Sequence, residues 1–194
     1  MKFDHEIPNS FTYQEYLDLI DGLLEVGKTT GEKQTETLLD FTTLNRRRMK
    51  RLDKTVQVNG ELREKISKIK GKQRWIVLTE AWCGDAAQNL PLLAKMASEN
   101  ENIELRLILR DENPDIMNDF LTNGGKSIPK LIAIDEASEV VFTWGPRPEP
   151  AQHLLREYKA NPNGRSYEEF NIELHTWYAR DKTVSAQEEL VRLL

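Results

Sequence analysis

Apolar side chains recur at helical spacing through the first 70 residues of the chain. In the first stretch they lie at intervals of three and four residues, at Tyr16, Leu19, Ile20, Leu23 and Leu24. This spacing places them on one face of a helix, which we expect Ser10 to cap and Gly27 to end. A second helix is predicted over residues 35–52, and a third after Asn59 with a stop at Gly71. We expect the second helix to bury an apolar side made of Leu38, Leu39, Phe41 and Leu44.

The pattern changes after residue 71 to short apolar runs separated by helical stretches. Strands are predicted at 75–78, 103–109, 131–134 and 139–144 because these runs are rich in strand-forming residues. Helices are predicted at 83–100, at 114–121 and from about residue 149. The order β-α-β-α-β-β-α is typical of a small mixed sheet with helices on both faces.

The last 34 residues carry signals for two more helices. Ser166 with Glu169, and Ser185 with Glu188, both have the spacing of a capping box. The Asn-Pro-Asn-Gly stretch at 161–164 is the predicted linker before them. The resulting organisation is a helical N-terminal extension over 1–70, an α/β domain over 71–160 and a helical C-terminal extension over 161–194.

Composition restricts the classes of function. The formal net charge of −5 gives no reason to expect nucleic-acid binding, which favours a basic face. No apolar run has the length of a membrane span and no signal peptide is evident, so we expect a cytoplasmic protein without a membrane partner. The single cysteine excludes an intrachain disulfide, and the three histidines are dispersed, so neither a metal nor another cofactor is expected.

The most informative segment contains that cysteine, Cys83, directly after a predicted strand and at the start of a predicted helix. Unpaired amides and the dipole at a helix N-terminus stabilise a thiolate, which is the reactive form of cysteine. Asp85 and Glu80 lie close in sequence and oppose ionisation. The direction of the net pKa shift therefore stays open, and a buried, unreactive Cys83 is the alternative interpretation.

Four features resemble the thioredoxin family over residues 71–160. The Trp82-Cys83-Gly84 turn is similar to the family's active-site turn, and Pro91 matches its in-helix proline. Ile128-Pro129, just before a strand, matches its cis-proline turn, and Gly145 its groove glycine. The resemblance implies a thioredoxin-like fold, a surface-facing Cys83 and a groove for an extended peptide. The segment 144–148 also resembles a bacterial group of thioredoxin-like proteins without a defined activity.

The departures from the family decide which activity the resemblance allows. Ala86 replaces the family's second cysteine, Asp85 replaces the proline between the cysteines, and Val77 replaces its buried acid. Without a second thiol the chain cannot resolve a mixed disulfide by itself. The leading hypothesis is a monothiol protein, one with a single reactive cysteine, that serves redox homeostasis and needs an external thiol. Its expected partners are protein thiols or disulfides and a small thiol.

This hypothesis assigns roles to eight residues. Cys83 is the nucleophile, and the predicted substrate-binding residues are Trp82, Gly84, Asp85, Ala86, Ile128, Pro129 and Gly145. Trp82 is expected to be an exposed aromatic contact, and Ile128 with Pro129 to hold the partner's backbone. The alternative is a redox-inactive adaptor that uses the same groove only for binding.

A dense basic run, Arg46–Arg51, lies on the second predicted helix. Such runs are usually solvated helix faces, and sometimes bind nucleic acid or other anions. A role in anion binding is therefore a third hypothesis. The oligomeric state is open.

Overall fold

A computed structural model describes residues 1–7 and 9–194 of the chain. Its sheet has the strands β1 (Gln73–Thr79), β2 (Ile103–Leu109), β3 (Lys130–Asp135) and β4 (Val140–Trp144). Their order in the sheet is β2-β1-β3-β4. β1 pairs in parallel with β2 and antiparallel with β3, which pairs antiparallel with β4.

Eight helices surround this sheet within the described residues. They are α1 (Tyr13–Glu25), α2 (Glu36–Thr55), α3 (Gly60–Ser67), α4 (Gly84–Ser98), α5 (Pro114–Asp119), α6 (Glu149–Ala160), α7 (Tyr167–Asp181) and α8 (Val184–Leu193). The predicted α/β class, the mixed sheet and the helical extensions at both ends are confirmed. None of the described helices is both long enough and apolar enough to cross a membrane.

The central strand β1 is covered on both faces, and Trp75 to Leu78 are fully buried. The core around it includes residues from both extensions, such as Tyr16 of α1 and Leu190 of α8. The extensions also meet each other, because Gln187 of α8 donates a hydrogen bond to the carbonyl of Gln57 (3.1 Å). A second, smaller core lies between α6 and α7, formed by Ala151, Phe170, Leu174 and Tyr178.

The predicted apolar side of α2 is wrong at two of its four residues, and the other two, Leu38 and Leu39, are half-buried. Phe41 and Leu44 are exposed, whereas Thr42, Asn45 and Met49 are buried. The inner face is partly polar because it meets the backbone at the end of β1, where the Asn45 side chain hydrogen-bonds a carbonyl. Burying a polar group at such a place is favourable once it is paired.

Two cap predictions are also wrong. Thr12, and not Ser10, caps α1 in a capping box with Glu15. α8 begins at Val184, so Ser185 is already inside the helix and bonds to Asp181 instead. The Ser166–Glu169 capping box at the start of α7 is confirmed.

Candidate functional site

Cys83 occupies the N-cap of α4, the position that the sequence predicts. The chain leaves β1 at Thr79 and turns once, with the Cys83 amide donating to the Glu80 carbonyl (3.0 Å). The Cys83 Sγ accepts a weak hydrogen bond from the Ala86 amide (3.5 Å) and donates to the Ile128 carbonyl (3.3 Å). The single thiol therefore links the start of α4 to the turn before β3.

That turn has the predicted cis Ile128–Pro129 peptide bond. Gly145 lies directly against it, with a φ of +107°, and a Cβ there would collide with the Pro129 carbonyl. Only glycine combines this φ with such a close backbone approach. Cys83, Ile128, Pro129 and Gly145 are thus brought together, but Ile128 and Pro129 are buried, so the expectation of an exposed backbone edge at this turn is wrong for this structure. A second cis bond, Gly145–Pro146, was not predicted.

The expectation of a surface-facing sulfur is wrong, because Cys83 is only 8% exposed. Burial, and after it the charge of Asp85, raise the pKa of the Cys83 thiol to about 12. The Ala86 amide and Arg147 oppose this shift without cancelling it. The helix N-terminus alone favours a thiolate, but removal from water costs the charged form more. At neutral pH the resting site holds a protonated thiol.

Trp82 is half-buried, which corrects the expectation of an exposed aromatic contact. The Arg110 guanidinium lies over its ring, 4.9 Å from the centroid. The loop between α1 and α2 lies close to the indole nitrogen, since a Cβ on Gly31 would be 3.7 Å from it. Its remaining surface is the part that a partner could contact.

Asp85 is a buried acid at the start of α4 whose side chain bonds to two distant segments of the chain. It is 7% exposed, forms an ion pair with Arg147 and accepts a hydrogen bond from the Tyr178 hydroxyl (2.7 Å). Arg147 comes from the loop after β4, and Tyr178 from α7. Asp85 therefore ties both of these segments to the first turn of α4. Sequence reasoning missed both partners, and the only signal was the Gly-Pro-Arg-Pro stretch that holds Arg147.

His175, one turn before Tyr178 on α7, covers Gly84. A Cβ on Gly84 would lie 2.7 Å from the imidazole ring, so the absence of a side chain makes room for it. The Gln88 amide donates to His175 Nδ1 (3.1 Å). Burial, followed by the nearby charge of Arg48, lowers the pKa of His175 to about 4. The ring is neutral at physiological pH and acts as a cover, not as a cation.

The N-terminal extension holds the other side of the turn. The Ala81 amide donates to the Thr30 hydroxyl (2.9 Å), and the Asn45 amide donates to the Ala81 carbonyl (3.0 Å). Arg48 of α2, hydrogen-bonded to Asn45 Oδ1 (2.8 Å), reaches the edge of the site. Its guanidinium would lie 3.7 Å from a Cβ on Gly84. The turn that bears Cys83 is thus fixed from both extensions.

Glu80 is a fully buried acid that sequence reasoning considered only as a nearby charge. Burial raises the pKa of its carboxyl group, which accepts a hydrogen bond from the Asp111 amide (3.0 Å). It lies at the end of β1, whereas Val77 at the family's position for a buried acid is an apolar core residue.

Comparison with known proteins bears on the family and the fold. A family profile described as Thioredoxin matches residues 31–159, whereas no curated protein matches the chain. Among solved structures, a protein of unknown function from Pseudomonas aeruginosa is similar with a TM-score of 0.55 and 19% identity, over 94% of this chain and 96% of that one. An HIV epitope scaffold gives 0.54 and 19%, over 94% and 97%. These two likenesses support the fold, and because the profile spans well over half of the sequence, the chain belongs to the thioredoxin family.

Proposed function

We propose that the protein carries out thiol–disulfide exchange as a monothiol through Cys83. The observation that supports this most is the position of Sγ, which lies 3.3 Å from the carbonyl that precedes the cis-proline. An extended partner chain that pairs with the backbone at Ile128 would bring its own sulfur to this point. Gly145 adds no side chain beside Pro129, which leaves room there for such a chain once the site opens.

The exchange takes two steps. The Cys83 thiolate attacks one sulfur of a partner's disulfide or glutathionylated cysteine, and the other sulfur leaves as a thiolate that takes up a proton. A low-molecular-weight thiol then attacks the mixed disulfide and frees Cys83. With a glutathionylated partner, Cys83 takes over the glutathionyl group, the partner leaves as a free thiol, and the small thiol is released as its disulfide with glutathione. With a partner disulfide, a second small thiol completes the reduction, so that two small thiols are oxidised to one disulfide for each partner disulfide reduced. In both cases Cys83 returns unchanged. Because Ala86 stands where the second cysteine would be, the external thiol is required.

The resting site is closed, and this sets a condition on the chemistry. His175 and Tyr178 cover the first turn of α4, and the thiol is buried and protonated. Attack needs both access and a thiolate, so α7 has to move away from Gly84 and Asp85. Hydration of the sulfur in that opened state removes the largest cause of its raised pKa.

Intact-mass spectrometry tests the proposal. The native chain is incubated with a peptide that carries a cysteine–glutathione mixed disulfide, and an adduct on Cys83 is expected, which reduced glutathione then releases. Cys83→Ser is the control and gives no adduct. The same reaction on the urea-unfolded chain shows that the reagent is competent. An adduct on the unfolded chain with none on the native chain would refute exchange.

The adaptor function is the second candidate, and the burial and raised pKa of Cys83 favour it. Under this function the groove binds an extended peptide without any covalent step. Cys83→Ser would then bind a peptide as tightly as the native chain does, measured by fluorescence anisotropy. Weaker binding by that variant, together with an adduct on the native chain, would exclude the adaptor.

A further inference from the structure

The outward face of α2 carries a stripe of four exposed cations. Arg47, Lys50, Arg51 and Lys54 are spaced by three and four residues, so they lie on one side of the helix. Among the residues that the structure describes, none of the four forms an ion pair, although Arg46 beside them is paired with Asp21 (2.7 Å). In a chain with a net charge of −5, this is a local concentration of positive charge without ion-pair partners, on a helix that also carries the acids Asp40 and Asp53.

The cationic stripe leads to the thiol site. Arg48, one residue from Arg47, has its guanidinium beside Gly84 at the start of α4. Arg51 lies close enough to Arg48 that repulsion contributes to lowering the pKa of Arg48 to about 10, after burial as the main cause. The positive potential of α2 therefore extends to the edge of the groove where a partner's sulfur would enter.

An apolar patch borders the same stripe. Leu44 lies one turn before Arg47 and Arg48, and Phe41 lies one turn before Leu44. These two side chains are 43% and 37% exposed. A partner that covers this face therefore needs both negative charges and apolar side chains in one segment.

The geometry points to the exposed face of α2, from Phe41 to Lys54, as a docking surface for an acidic, partly apolar protein segment that flanks the partner's target cysteine. This inference rests on the proposed exchange at Cys83, which names the partner as a protein. Charge complementarity selects the acidic sequence. The apolar patch favours such a segment over nucleic acid, which offers phosphates without apolar side chains.

Binding is measured on Cys83→Ser, so that no covalent step contributes. The probe is a fluorescein-labelled peptide in which glutamates and leucines flank a central serine. Its binding is measured by fluorescence anisotropy at low and at high salt. The stripe variant replaces Arg47, Lys50, Arg51 and Lys54 by Gln. The matched control replaces Lys65, Lys68, Lys70 and Lys72 by Gln, which removes the same charge at the far end of β1.

We expect the stripe variant to bind the peptide about tenfold more weakly than the parent at low salt, while the control keeps its affinity. High salt should reduce the difference. Leu44→Ser should also weaken binding, whereas Ile172→Ser on the outer face of α7, which is 64% exposed, should not.

Equal affinities for the stripe variant and the control would overturn the inference. So would an oligonucleotide that displaces the peptide at equal concentration, since that result assigns the stripe to nucleic acid. Because the assay uses no thiol, a negative binding result rejects the docking surface without testing whether Cys83 carries out exchange. Peptide binding that depends on the stripe, in a protein that forms no adduct at Cys83, would keep the surface and discard the redox function.

Discussion

The turn that bears Cys83 is held on two sides by two different kinds of packing. On the side of α2, Thr30 and Asn45 bond the backbone of Ala81, and they are buried next to the main core. On the side of α7, the contacts are hydrogen bonds between side chains. Tyr178 bonds to Asp85, and His175 bonds to Gln88.

The cores behind these contacts also differ. Residues of α1, α2 and α3 belong to the main core around β1, whereas α7 packs with α6 in the separate small core. A unit with its own small core can shift while the main core stays intact. We therefore interpret the α2 side as a fixed support of the site and the α7 side as its movable cover.

The largest effect is expected from Asp85→Asn, which breaks the link between the cover and α4. Arg147 then keeps a buried charge without its carboxylate partner, which costs about 3 kcal/mol of unfolding free energy. Loss of the Asp85 charge also lowers the pKa of the Cys83 thiol, since that charge is the second cause of its raised value. Urea unfolding measures the first effect, and the pH profile of Cys83 alkylation the second. An unchanged alkylation profile would contradict the role of Asp85.

The next effect is a pH dependence that comes from His175. Its pKa is about 4 in the folded chain and near 6.5 when unfolded, so the unfolded chain binds more protons between these values. The contribution of the neutral His175 to the free energy of unfolding is fully present above pH 6.5. It is lost as the pH falls towards 4, and the loss is at most about 3 kcal/mol. Arg48, Asp85 and Arg147 are the charges that act on the ring.

His175→Gln serves as the comparison in that experiment, because it keeps a polar side chain that does not titrate in this range. Its unfolding free energy, measured by urea titration at several pH values, should fall less steeply between pH 6.5 and 4. Parallel pH curves for the two proteins would show that His175 is not buried as described.

A smaller loss is expected on the fixed side, from Asn45→Ala. The Ala81 carbonyl and Arg48 each lose a hydrogen-bond partner, which costs about 2 kcal/mol of unfolding free energy. Because the α7 cover is untouched, the rate of Cys83 alkylation in the folded protein should stay within about twofold of the native rate, against the tenfold that 1.4 kcal/mol would produce. A large increase in that rate would mean that the two sides do not differ as argued.

The smallest loss of stability is expected from Tyr178→Phe, which removes only the hydroxyl that bonds Asp85. The free energy of unfolding should fall by about 1 kcal/mol, and the lost hydrogen bond is one that holds α7 against α4. Cys83 should therefore be alkylated about fivefold faster at constant pH, since the opening of α7 becomes more favourable by that amount. Tyr167→Phe, at an exposed position on the same helix, is the control that should leave the rate unchanged.

The local part of this arrangement could be predicted from the sequence. The N-cap position of Cys83 follows from the end of one apolar run and the start of a helical pattern, and the Ile-Pro pair before a strand matched a family feature. The partners of Asp85 could not be predicted, because they lie 62 and 93 residues away and meet it only through tertiary packing. For the same reason the burial of Cys83 was missed, since its sulfur lies against the Ile128 carbonyl, 45 residues away in the chain.

The inner face of α2 shows a second limit. Hydrophobic periodicity assumes that a helix buries apolar side chains, and it assigned Phe41 and Leu44 to the interior. The interior side of α2 instead meets the Ala81 carbonyl just after β1, which Asn45 pairs, while Thr30 in the loop before α2 pairs the Ala81 amide. Where a helix packs against backbone at the edge of a sheet, polar residues can be the buried ones.

The central claim is that the native chain holds Cys83 as a buried, protonated thiol next to the first turn of α4, which α7 covers. The most direct test is the alkylation rate of Cys83 by iodoacetamide as a function of pH, for the native chain and for Tyr178→Phe. We expect slow alkylation of the native chain, with a midpoint well above the free-thiol value of about 8.5, and faster alkylation of the variant at every pH. Rapid alkylation of the native chain with a midpoint below that value, or identical rates for the two proteins, would contradict the account.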